Sequence, residues 1–149
     1  MTPTRTITDS IAALIAANST GLGEAVVKNV TLVIANFTPG PDLAFADLTV
    51  ATFDGATPLV SPSGAQLAFT DAITGLRVIQ MKDPAGGFHW VTTGVTNLPQ
   101  TVYGFVVTND DDTITFGAEK FPAPIVLTGT GQGVDIGVIR FTQAANALS

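Results

Sequence analysis

Residues 101–120 read TVYGFVVTNDDDTITFGAEK, and this stretch decides the fold class. In Thr101–Thr108 the side chains of Tyr103, Phe105 and Val107 fall on one face by strict alternation. In Thr113–Lys120, Ile114 and Phe116 share a face in the same way. Between the two runs lies Asn109-Asp110-Asp111-Asp112, residue types that bond their own backbone and favour turns. Two β-prone runs around such a turn predict a hairpin whose aromatic and β-branched side chains meet in a core.

The texture continues on both sides. A first strand is expected from Val30, Leu32 and Ile34 to near Phe37, closed by the turn Thr38-Pro39-Gly40-Pro41, because prolines cannot donate to a ladder. Residues 43–74 are broken by Asp54-Gly55, Pro58, Pro62 and Gly64 and predict an irregular excursion with one or two short strands. Further strands are expected over 75–82, 87–93, 124–129 and 133–142, with no fixed-period repeat. About seven short strands with turn signals every ~8–12 residues predict an all-β domain, an antiparallel β-sandwich or jelly-roll-like barrel.

Residues 9–18 carry the one helical pattern. Thr8 or Asp9 can cap it, and Ile7, Ile11, Leu14 and Ile15 form an apolar stripe before Asn18-Ser19-Thr20-Gly21 stops it. A helix of about ten residues is marginal alone in water, so the stripe must pack on its own domain or on a neighbour. The expected organisation is an arm with a short helix over 1–28 and a β-domain over 29–149, with a loose tail from Ala144. Ile7, Ile11, Leu14 and Ile15 are the candidate subunit interface.

The chain has 149 residues, and charged residues are only 12 %, against about 25 % in an ordinary soluble domain. Threonine, at 22 positions, covers much of the surface instead. Mean hydropathy is +0.42 and the hydrophobic content 46 %, which argues against disorder. Six basic residues stand against 12 acidic ones, for a net charge of −6. Binding to nucleic acid or anionic lipid is driven by clustered lysine and arginine, so neither partner is expected. The segment Ile11–Ala17 is short, follows Asp9 and has one basic residue before it, so no signal peptide is read. No apolar run reaches the ~18 residues of a membrane span.

Catalytic residue types are sparse. There is no cysteine, and the single histidine, His89, lies in a strand pattern opposite Phe88 and Trp90, which reads as structural or solvent-facing. Asp110-Asp111-Asp112 concentrates oxygen ligands, but its spacing does not fit an EF-hand, and a solvated hairpin tip is the reading. Gly129-Thr130-Gly131-Gln132-Gly133 leads into a strand rather than a helix and is a turn, not a phosphate loop. Trp90 could stack on a sugar, yet a lone tryptophan on an alternating strand reads as core. No catalytic, cofactor or metal residue is assigned, and no enzyme is expected.

Several short segments, in order, carry a resemblance. They are Asn36-Phe37-Thr38-Pro39, Ala46-Asp47-Leu48, Ala51-Thr52-Phe53-Asp54-Gly55, Thr101–Thr108 and Ala118-Glu119-Lys120-Phe121. Across residues 30–141 they resemble a group of small bacteriophage and environmental-virus structural proteins. The resemblance implies a virion component of the capsid-decoration or minor structural type, made in the host cytoplasm, with copies of itself and other virion proteins as partners. No site residue carries over, since the recurring positions are turn and core positions. The alternative is a receptor- or glycan-binding module of a phage fibre or spike.

Overall fold

At the centre of the structure, a computed structural model, is the hairpin of β7 (Gln100–Asn109) and β8 (Thr115–Leu127), paired antiparallel from Thr108↔Thr115 to Gln100↔Leu127. The described residues are 4–7, 27–39, 43–61, 66–70, 72–73, 76–81, 87–113, 115–137 and 139–144. Around the hairpin lie β1 (Thr4–Ile7), β2 (Lys28–Val33), β3 (Leu59–Ser61), β4 (Gln66–Thr70), β5 (Leu76–Met81), β6 (Phe88–Val91), β9 (Gly133–Ile136) and β10 (Ile139–Ala144). All pairings are antiparallel and form a five-stranded sheet β1-β8-β7-β2-β3, a three-stranded sheet β10-β5-β4 and the pair β6-β9. The one helical element among the described residues is a 3-10 turn, Phe45–Asp47, in the 43–74 excursion that also carries β3 and β4. No helix among them is long and apolar enough to cross a membrane.

The middle of the five-stranded sheet is buried on both faces. On one, Val30 and Leu32 of β2, Val102, Phe105 and Val107 of β7 and Leu127 of β8 pack with Phe88, Trp90, Val134, Ile139 and the turn residues Phe53 and Ala56, so this cluster joins all three sheets. On the other, Val33, Val106 and Ala118 are covered by Phe37, Leu43, Phe45, Leu48 and Tyr103. Burial on both faces explains why residues 30–33 and 104–108 are buried without alternation.

The expected face of β7 is corrected at one residue. Phe105 and Val107 share the first cluster, but Tyr103 packs in the second. The ladder is irregular there, since Val102 pairs with Ile125 and Gly104 with Lys120, leaving Tyr103 opposite the stretch Phe121–Pro124. Pro122 and Pro124 have no N–H to give, so the strand bows away and the alternation slips by one. Gly104 then faces the same side as Tyr103. A Cβ there would overlap the Glu119 carbonyl oxygen and come 3.0 Å from the Phe37 ring, so only glycine fits.

The same bulge merges the strands expected over 113–120 and 124–129 into the single β8. Conversely, the strand expected over 133–142 is two, because the chain leaves the β6 partner after Ile136 and joins β5 from Ile139. Within the arm expected over 1–28, Thr4–Ile7 are β1, an edge strand of the five-stranded sheet. The helix expected over 9–18, Ile114, Gly40–Pro41 of the early turn and tail residues 145–149 lie outside the described residues.

Phe105 is 1 % exposed and tilts against Phe121 with ring centroids 6.2 Å apart. Phe105→Ala is expected to lower the unfolding free energy by about 3–5 kcal/mol in a denaturant titration. A loss under about 1 kcal/mol would place the ring outside the core.

Candidate functional site

Lys28 is a charged side chain carried into the interior. It opens β2 on the face of Val30 and Leu32, opposite Ser61 of β3 and Asn109 of β7, and both Lys28 and Ser61 are 0 % exposed. Desolvation lowers its pKa from the usual 10.5 to about 8. An amine tuned this way can serve as a base or nucleophile, but complete burial keeps substrate from it in this conformation. In the sequence Lys28 is one of six basic residues and no role is assigned to it. The signal was its i, i+2, i+4 spacing with Val30 and Leu32, which sets it on the core face.

The acidic tip is closed on itself. Asp111 Oδ1 accepts hydrogen bonds from Thr113 Oγ1 at 2.6 Å, Thr113 N at 3.2 Å and Asn109 Nδ2 at 2.7 Å. The bonds from Thr113, foremost that of its hydroxyl, hold the Asp111 carboxyl below the usual carboxylate range. Thr108 Oγ1 donates to Asp112 Oδ1 at 2.5 Å, and Asp112 takes a left-handed φ of 61° that aspartate tolerates. Asn29 Nδ2 donates to the carbonyls of Asn109 and Asp110, tying the tip to β2. These carboxylates act as turn acceptors, and no group of three or more His, Cys, Asp or Glu among the described residues could hold a metal ion.

The glycine loop is fastened in the same manner. Gln132 Oε1 accepts from the N–H groups of Thr128 at 2.5 Å and Gly129 at 2.9 Å. Buried Thr92 donates its hydroxyl to Gly129 O at 2.7 Å and accepts from Gln132 N at 2.9 Å, while its carbonyl takes the Gly131 N–H. The N–H groups a phosphate would need at Gly129, Gly131 and Gln132 are therefore occupied within the protein.

His89 stands on β6 directly across from Asp135 on β9, and its Nδ1 is hydrogen-bonded to Asp135 Oδ1. Both side chains are exposed. A Cβ at Gly133 would sit 3.2 Å from His89 Cε1, so the glycine leaves room for the imidazole. Trp90, beside it in sequence but on the other face, is 2 % exposed and donates its indole N–H to Thr57 O at 3.1 Å. It offers no stacking surface to a sugar.

Of the candidate interface residues, Ile7 ends β1 opposite Gly117. Ile11, Leu14 and Ile15 lie outside the described residues. Apolar exposure elsewhere includes Val95, 68 % exposed in the turn before β7, and Val126, 55 % exposed opposite Thr101, both at the end of the sheet where β7 begins. No known family model, characterised protein or solved structure matches the chain.

Lys28 gives stability a pH dependence. Its folded pKa is depressed, so between about pH 8 and 10.5 the unfolded chain binds more protons than the folded one. Stability is therefore expected to rise with pH across that window, by roughly 3 kcal/mol at full extent. Chemical denaturation at several pH values measures the rise, and Lys28→Met is expected to flatten it. His89→Ala removes an exposed pair worth about 0–1 kcal/mol. It is expected to leave the unfolding midpoint and the oligomeric state close to those of the parent, measured by denaturant titration and light scattering.

Proposed function

We propose that the chain is a non-enzymatic structural subunit of a virion, which binds copies of itself and other virion proteins at the capsid surface as a decoration, cement or spike-base subunit. The observation that carries this reading is how the described polar groups are used. Asp111, Asp112, Thr92 and Gln132 hold turns, and the exposed His89 is turned toward Asp135. Side chains left for contact at the β7 end of the sheet include the apolar Val95 and Val126. A charge-poor surface suits subunit packing, because interface cores are depleted of charge. The net charge of −6 disfavours a position against packaged genome and suits the outside of a particle.

The same proposal extends to the finer architecture. A core cluster that joins all three sheets supports a sandwich or jelly-roll-like closure. The short helix over 9–18 would present Ile11, Leu14 and Ile15 to a neighbouring subunit. The resemblance to small phage structural proteins over residues 30–141 supports the virion setting. A glycan-binding role on a fibre or spike is less favoured, since Trp90 is in the core.

Light scattering of the purified chain is expected to give a discrete homo-oligomer. Added to purified particles, the chain is expected to co-sediment with them at a fixed copy number read from a gel. A monomer that ignores particles but is retained on a glycan array would replace this reading with the receptor-binding one.

A further inference from the structure

We propose that β1 is an exchangeable strand, so that in the assembly Thr4–Ile7 of one copy adds to the Gly117–Lys120 edge of another. The inference rests on the homo-oligomeric reading above and supplies the means by which copies are joined.

Sheet order and chain length carry it. The order β1-β8-β7-β2 sets β1 three strands away from β2, the next described strand along the chain. Ile7 lies in one row with Gly117, Val107 and Val30, so the end of β1 and the start of β2 are at the same end of the sheet. Three interstrand steps amount to about 14 Å. The connection, residues 8–27, could span on the order of 50 Å even with residues 9–18 helical, several times that gap. Nothing in its length confines β1 to its own sheet.

The acceptor edge is built without β1. Gly117, Ala118, Glu119 and Lys120 are already paired to β7 on their other side. Gly117, Ala118 and Glu119 are buried in the complete sheet, so an edge that lost β1 would uncover backbone groups that need new partners. A second copy's β1 supplies the same backbone in the same register. Because the bonds broken in one chain are remade in the other, local concentration decides between the two arrangements. On a particle surface, where copies are held side by side, that balance favours exchange.

The register provides the probe. Thr4 is the direct partner of Lys120, and cross-strand Cα atoms ~4.5–5.5 Å apart suit a disulfide. The chain has no native cysteine. The full chain carrying T4C and K120C, oxidised at the concentration where the parent is oligomeric, is expected to run as covalent dimers or longer ladders on a non-reducing denaturing gel. Intrachain disulfides alone, from a variant that scatters as the parent oligomer, overturn exchange and leave the assembly reading standing. A parent chain that is monomeric by light scattering overturns both. A second measurement covers a variant that does not fold. A chain lacking residues 1–7, supplied with a peptide of those residues, has a filled edge that links no copies. With Ile11, Leu14 and Ile15 changed to serine both in it and in a full-chain control, it is expected to drop to the monomer mass while the control stays oligomeric, and an equal mass for the two overturns exchange.

Discussion

The rest of the fold depends on one constraint, that the middle of β7 must satisfy two cores at once. Phe105 and Val107 look toward the cluster that joins the three sheets, while Val106 looks toward Phe37 and Phe45. A strand buried on both faces cannot carry a polar residue mid-span without a partner, so every position there is apolar or glycine. The bulge at Tyr103 decides which of the two cores each residue before Phe105 serves. Proline-bearing Phe121–Pro124 interrupts the ladder, the alternation slips, and Gly104 lets the Phe37 ring and the β8 backbone close over the gap.

With so few charges, the loops are held by short hydrogen bonds between backbone groups and the side chains of threonine, asparagine, aspartate and glutamine. Thr92 and Gln132 gather the glycine loop, and Asp111 with Thr113 closes the hairpin tip. Such bonds do not depend on salt screening as exposed ion pairs do. Residues that could be mistaken for a phosphate loop or a cation site are thereby committed to structure. The proposed assembly would therefore rest on shape and backbone edges rather than on charge.

Much of the fold and part of the site was legible in the sequence for physical reasons. The period-two pattern around Phe105, with an Asn/Asp turn after Thr108, is a local signal, and it marked the hairpin and the antiparallel class, while the alternation of His89 with Phe88 and Trp90 marked its outward face. The turn nature of Gly129–Gly133 followed from what came after it, a strand rather than a helix. Trp90 as core followed from its alternation with His89.

What only the tertiary structure decided depends on distant partners. Tyr103 changes face because of prolines about twenty residues further along, which alternation within β7 cannot register. β9 and β10 divide one apolar run because β6 and β5, far away in the chain, each claim half of it. Thr4–Ile7 is a strand because β8 offers it an edge, not because four residues could hold that shape alone. Lys28 owes its depressed pKa to burial at the start of β2, between β3 and β7, which a count of basic residues cannot register. Local periodicity and turn chemistry are written in neighbouring residues, whereas face, register and burial are set by which strands meet.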